Sequence, residues 1–376
     1  MSQKKQCIGI PKEIKNMEFR VGATPSMVKG FVMNGHTVLV EKDAGEKIGC
    51  SNAMYENAGA TIVLTPKEVY KADLIIKVKE PQESEFPLMH EGQVLFCYLH
   101  LAPDAEQTKQ LIEKKVVAIA YETVFDSAYR LPLLTPMSEI AGRISIQAGA
   151  TALHMEKGGK GVLLGGVPGV RSGKVVIIGG GVVGANAAQM AVGIGADVTI
   201  LDTHLDRLRE LDMHYRGRLK TLYSTSYNIE MSVKEADLVI GAVLIPGKKA
   251  PSLVSKEMIA KMEKGSVLVD VAIDQGGCFE TSKPTTHSHP TYLVDGIVHY
   301  CVANMPGACA RSSTYALTHA TYPYALKIAN LGYKKALASD PYFLTGLNID
   351  KGRVTHKNVA EDLGYEYVCP KKCVEE

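Results

Sequence analysis

Short apolar runs alternate with amphipathic stretches along most of the chain, the order in which parallel-sheet α/β architectures are built. In the first third, residues 7–10, 36–41, 73–78, 94–99 and 116–120 predict strands, with helices predicted over 26–34 and 105–115. Gly35 stands just past the first of these helices, where a left-handed residue commonly ends one. A second series starts at Lys174 with KVVIIG, ADVTILD, ADLVIGAVL and GSVLVDVAID. These runs are apolar almost throughout, as strands covered on both faces must be; a sheet with one wet face would alternate. A long helix is expected over roughly 138–157, opened by the turn LTPMSE. Beyond Asn304 the pattern is helical over 313–338 and then polar, which predicts a loop-like tail. The pattern as a whole predicts two doubly wound parallel-sheet domains.

Composition agrees and removes several function classes. The 376 residues exceed what one core usually serves, and 46% apolar with 22% charged residues describes an ordinary globular chain. Lys and Arg number 42 against 40 Asp and Glu, with no long basic run, so no concentrated field exists for nucleic acid or a membrane surface. No stretch approaches 18 unbroken apolar residues, and the first residues carry no apolar signal core, so neither a membrane span nor export is expected. Eight scattered cysteines (Cys7, Cys50, Cys97, Cys278, Cys301, Cys309, Cys369 and Cys373) predict free thiols in a reducing compartment, the cytoplasm. Cys369 and Cys373 lack the partners a zinc site needs.

The segment KVVIIGGGVVGANAAQMAVGIGADVTILD carries the sharpest chemistry. Gly179, Gly181 and Gly184, with Val182 and Val183 between them, form G-x-G-x-x-G directly after a strand and at the opening of a helix. The first glycine permits the turn, the second lets backbone approach a pyrophosphate, and the third packs helix on strand. The helix N-terminus adds free N–H groups and partial positive charge. The next strand ends in Asp202, 18 residues past Gly184, where a carboxylate can accept from a ribose diol. Thr203 follows it rather than an arginine that would welcome a 2′-phosphate, which favours NAD over NADP, although Arg207 and Arg209 lie further on. The glycine-rich stretch 158–173 does not match a P-loop, because Lys174 is followed by Val175, and reads as a connector.

The predicted ends of three early strands carry complementary polar groups. Arg20 lies in the loop after the first strand, Lys79 ends LIIKVK, and His100 ends VLFCYLH. A parallel sheet brings all three to its C-terminal edge, where such folds build ligand sites. A guanidinium grips a carboxylate with two parallel bonds, an ammonium neutralises or polarises, and an imidazole exchanges protons near neutrality. Each has a plainer alternative: Arg20 paired with Glu13 or Glu18, Lys77 and Lys79 as solvated edge charges, His100 as a structural strand-end histidine. Joint placement beside a nicotinamide site favours a pocket for a small 2-oxo or 2-amino acid. From the second series, Asp274 follows a strand and precedes a glycine turn, whereas Asp270 sits within the strand and reads as structural. Asn304, in YCVANMP, reads as strand-end loop, and His287 and His289 as loop surface. These features divide the chain into a substrate domain over 1–132, a Rossmann-like dinucleotide domain over 133–308 inserted into it, and a helical return of the substrate domain over 309–376.

The motifs GIPKEIKNMEFRVGATP, LIIKVKEP, FCYLHLAP, AYETV, LLTPMSEIAGR, GGVPGV, ADLVIGAVLIPG, LVDVAIDQGGCFE, YCVANMP and TYALTHAT run nearly end to end. In them the chain resembles the NAD-dependent alanine dehydrogenases, a family shared with the NAD-binding subunit of pyridine nucleotide transhydrogenase. The resemblance implies reversible conversion of L-alanine, NAD⁺ and water to pyruvate, ammonium and NADH. It implies that Arg20 binds the substrate carboxylate, that Lys79 is the substrate lysine, and that His100 and Asp274 are the acid–base residues. Which of the two moves which proton stays open. It further implies cofactor contacts at Ser138, Asp202, Arg207, Ser224, Val243, Leu244, Val271, Asp274, Val302, Asn304 and Met305. A two-domain subunit with a deep cleft, assembled as a homohexamer, is the implied architecture, and the residue types here give no metal site. A soluble transhydrogenase-type subunit and a saccharopine-dehydrogenase-like enzyme are the alternatives. Lys79 and His100 together, and LTPMSEIAGRISIQAG, resemble the alanine-converting branch.

Overall fold

The computed structural model describes residues 5–243 and 250–375. The chain divides into two compact units, Met1–Pro136 with Cys309–Glu376, and Met137–Ala308. In the first, β1 (Cys7–Ile10), β2 (Thr37–Glu41), β3 (Thr61–Val63), β4 (Leu74–Ile76), β5 (Val94–Cys97) and β6 (Val117–Ala120) lie in the order β3-β2-β1-β4-β5-β6, all parallel. Strand order reverses at β1 and β4, the switch point at which doubly wound sheets open a crevice beyond their strand ends.

The second unit repeats this layout with β7 (Lys174–Ile178), β8 (Asp197–Asp202), β9 (Lys220–Tyr223), β10 (Leu238–Gly241), β11 (Val267–Asp270), β12 (Thr291–Val294) and β13 (Ile297–Tyr300). Its order is β9-β8-β7-β10-β11-β13, parallel, with β12 antiparallel at the edge. Val175 and Ile177 face one buried cluster with Leu238 and Ile240, while Val176 and Ile178 face another with Val239. Alternate residues thus enter two separate cores, which is why these runs are apolar at every position.

Several expectations need correction. The tail is not loop-like: β14 (Leu347–Asp350) pairs antiparallel with β6, β15 (Arg353–Val354) pairs with β14, and helices follow at Lys357–Leu363 and Pro370–Glu375. All four residues of β14 are buried, and its polar members have partners. Asn348 donates to Thr123 Oγ1 at 2.7 Å, and Asp350 accepts from Tyr333 at 3.0 Å and Arg353 at 2.6 Å. Half-polar composition reads as loop until those partners are known. The helix expected from residue 138 starts three residues earlier, at Thr135, because Pro136 in its first turn needs no N–H partner. The β12–β13 hairpin turns on Asp295 and Gly296, both with positive φ (52° and 83°), the geometry Asp-Gly favours between paired strands. Both sheets are therefore mixed at one edge. The helix Ala310–Leu331 joins the first unit through Phe31 and Tyr322, rings 5.4 Å apart, and through Thr314, which accepts the Val21 N–H at 3.3 Å. Among the described residues no helix is long and apolar enough to cross a membrane.

Candidate active site

In the first unit, β1, β4, β5 and β6 are neighbours, and their C-terminal ends lead into Arg20, Lys79, His100 and Glu122. At strand spacing these ends span about 14 Å. Arg20 is 2% exposed and grips Glu18 bidentately, Nε to Oε1 at 2.7 Å and Nη2 to Oε2 at 2.6 Å. Burial pushes the guanidinium down, but Glu18 more than offsets it, so Arg20 stays charged. The structural pairing that the sequence offers for Arg20 is present, and it orients the guanidinium.

Lys77 is not the solvated edge charge its position suggests. It is fully buried, with Nζ 2.8 Å from Glu85 and 3.2 Å from Glu13. Burial lowers its ammonium and the two carboxylates more than restore it, leaving it well above the ordinary lysine value. Tyr70 donates to Glu85 at 2.7 Å. Glu13 Oε1 also accepts the N–H of Val78 at 2.6 Å and of Lys79 at 3.3 Å, so this buried group holds the backbone that carries Lys79. Lys79 is half-buried, and its charge helps hold the Glu80 carboxyl below the usual range against burial.

His100 has a left-handed backbone, φ 51°, a conformation found disproportionately at functional sites. Its side chain is 46% exposed, and its ring stacks on Tyr98 with centroids 6.1 Å apart and planes at 10°. Tyr98 is buried and anchored by a 2.6 Å bond to the Leu133 carbonyl. Burial holds its phenol protonated even though Arg20 acts on it in the opposite direction.

In the second unit the glycine loop has the shape its spacing implies. Gly179 has φ 106°, and a Cβ there would come 2.6 Å from the Ala242 carbonyl. A Cβ on Gly184 would overlap the Gly179 carbonyl, whereas one on Gly181 would meet nothing within 4 Å. Two glycines thus let the loop pack, and the third leaves an open approach at the N-cap of the helix Val182–Gly193. That cradle fits a pyrophosphate. Val182 is exposed beside it and Val183 is buried beneath. Asp202 ends β8, accepts the Gly180 N–H at 2.6 Å and the His204 N–H at 2.8 Å, and is held below the usual carboxylate range by these bonds despite burial. Arg207 donates to the Gly180 carbonyl at 2.6 Å, and the Ser224 N–H donates to the Asp202 carbonyl at 3.0 Å. Asp202, Arg207 and Ser224 are thereby brought to the glycine loop.

The remaining second-unit positions surround neighbouring strand ends. Val243 follows β10, Leu244 lies outside the described residues, and the Val271 N–H bonds the Gly241 carbonyl at 2.9 Å. Asp270 is fully buried and accepts from Ala272 at 3.1 Å, Cys278 at 2.8 Å and the Ser282 hydroxyl, tying the loop at both ends. Burial raises its carboxyl above the ordinary value, and these donors offset only part of that rise. Asp270 therefore shapes the turn, and Asp274 is presented exposed at its tip. Val302 and Met305 are buried on either side of Asn304, which has φ 63°. His287 is not simple loop surface: its Nε2 donates to the Asn304 carbonyl at 3.1 Å and braces that turn. Ser138 is half-buried in the first turn of the helix Thr135–Ala152.

Sequence reasoning did not single out Tyr98 and Glu122 as members of the site, and it named Glu13 and Glu18 only as structural partners for Arg20. For Glu122 a signal existed, since YET follows a strand that ends at the same sheet edge. For Glu13 and Glu18 nothing local distinguishes a buried carboxylate from a solvated one.

Two family models match, the alanine dehydrogenase/PNT N-terminal domain over residues 9–141 and its C-terminal domain over 145–357. An alanine dehydrogenase of Methanococcus maripaludis is 57% identical over 371 residues, spanning 98% of this chain and 100% of its own. A solved L-alanine dehydrogenase superposes with a TM-score of 0.93 at 52% identity, covering 95% of this chain and 99% of that one. A transhydrogenase from Sinorhizobium meliloti shares the fold, with a TM-score of 0.81 at 23% identity over 93% of this chain and 100% of its own. The chain belongs to the alanine dehydrogenase/PNT family.

Proposed function

We propose that the chain catalyses reversible oxidative deamination: L-alanine, NAD⁺ and water give pyruvate, ammonium, NADH and a proton. The observation that carries this reading is that Arg20, Lys79 and His100 lie in the segments following three adjacent strands at the reversal of strand order, on a chain that also holds a dinucleotide loop. A bound nicotinamide supplies the hydride acceptor or donor. Gly179, Gly181, Val182, Val183, Gly184, Ser138, Asp202, Arg207, Ser224, Val243, Leu244, Val271, Asp274, Val302, Asn304 and Met305 are the residues assigned to hold the cofactor.

Arg20, oriented by Glu18, takes the substrate carboxylate, and Lys79, held through Glu13, neutralises charge beside it and polarises the oxygen that the reacting carbon carries in the carbinolamine and in pyruvate. Fixing both ends leaves one orientation for the Cα–H, and such positioning is worth several kcal/mol, on the order of effective-molarity effects. Once the Cα hydride has passed to the bound nicotinamide and an N–H proton has left, water adds to the imine carbon, and the carbinolamine collapses with loss of ammonia. His100 and Asp274 move the protons of addition and collapse. L-alanine deuterated at Cα tests this reading: the label is expected in the reduced cofactor, and reduction with the label lost to water would contradict it.

Ionised Asp202 supports NAD over NADP, because a ribose 2′-phosphate would meet a carboxylate there. Asp202→Ala is expected to raise the KM for NAD⁺ by about 10- to 100-fold, the size of a charge-assisted hydrogen bond, and to narrow the preference over NADP⁺. Steady-state kinetics with both cofactors check this. The reading includes a homohexamer in a reducing cytoplasm.

A further inference from the structure

One largely buried carboxylate lies against the histidine assigned to proton transfer. Glu122 sits in the turn Tyr121–Thr123 that follows β6, one strand over from the end of β5. Its Oε1 accepts the N–H of His100 at 2.7 Å and of Leu99 at 3.1 Å, and Oε2 lies 3.3 Å from the Leu99 N–H. The same Oε1 is 4.0 Å from His100 Nδ1, and the Glu122 side chain is 14% exposed. A left-handed histidine is sterically disfavoured, and these bonds to an anion hold it there.

We infer that Glu122 is the positioning residue for His100: it pins the strained turn, keeps a proton on Nδ1, and leaves Nε2 as the nitrogen that exchanges protons with substrate. This rests on the acid–base assignment of His100. An anion beside one ring nitrogen selects the tautomer protonated there. Around the pair stand Cys97 and Tyr98 on β5 and just past it, both kept protonated by burial. His356, at the cap of the helix Lys357–Leu363 beyond β15, and Asp362 on that helix complete the set. Burial holds the His356 ring below its ordinary value although Glu122 and Asp362 pull it upward, and its buried Nδ1 has no hydrogen-bond partner.

The test is pyruvate amination and the ring tautomer of His100 in Glu122→Gln, which keeps an oxygen for the two N–H groups and removes the charge. Turnover is expected to fall, with the KM for NADH unchanged. Nitrogen-15 histidine spectra are expected to show His100 protonated on Nδ1 in the parent and shifted toward Nε2–H in the variant. Should Glu122→Gln fold poorly, Glu122→Asp, which keeps the charge on a shorter arm, is expected to retain the parent tautomer with lower turnover. Nε2–H in the parent, or an unchanged tautomer in Glu122→Gln, would overturn the inference. If His100→Asn instead keeps full turnover, the acid–base assignment itself fails; slow His100→Asn with parent-like Glu122→Gln removes Glu122 alone.

Discussion

Replacing His100 with asparagine is expected to slow pyruvate amination by about 10²- to 10⁴-fold, the range of one acid–base group, with NADH affinity retained. Asparagine is the informative choice because it tolerates the left-handed backbone that alanine would strain at φ 51°. The N–H that bonds Glu122 survives the substitution, and the side chain removed is nearly half exposed, so packing loss is small. What disappears is a ring that can accept and return a proton near neutrality. Turnover measured beside NADH fluorescence titration separates the two effects, and full turnover in the variant would contradict the role.

Lys77→Met is expected to destabilise the first unit by about 3–5 kcal/mol, the cost of stranding a buried partner charge. Methionine fills much the same volume but leaves Glu13 and Glu85 facing each other without a cation. Burial already raises the Glu13 carboxyl above its ordinary value, with Lys77 pulling it down; without Lys77 it rises further. A carboxyl raised in the folded state binds its proton there before it does in the unfolded chain. The variant's deficit is therefore complete at neutral pH and shrinks as pH falls into the carboxylate range. Urea midpoints at neutral and mildly acid pH measure this, and equal midpoints for parent and variant would contradict it. Because Glu13 also holds the Val78 and Lys79 N–H groups, a raised KM for pyruvate should accompany the lost stability.

Both predictions depend on residues the sequence displays unequally. Strand runs and the glycine loop are legible because their signals are local: apolar runs at 175–178 and 238–241, three spaced glycines, and an aspartate at the next strand end. Arg20, Lys79 and His100 could be placed at one edge because parallel strands share a direction. Partners supplied from elsewhere in the chain were not legible. Lys77 looks like any exposed lysine until Glu13, 64 residues away, and Glu85 are folded onto it. β14 reads as loop until Thr123, Tyr333 and Arg353 satisfy Asn348 and Asp350. The hairpin at Asp295 and Gly296 was missed although its turn dipeptide stands in the open between two β-rich runs.

The substrate is the centre of the account, and one spectrophotometric panel addresses it most directly. NADH consumption is followed with ammonium and a series of 2-oxo acids, beside lysine with 2-oxoglutarate in place of ammonium and pyruvate. Rapid oxidation with pyruvate and ammonium, lost when either is omitted, is the predicted result. NADH binding without turnover of any pair, or turnover confined to lysine with 2-oxoglutarate, would contradict it.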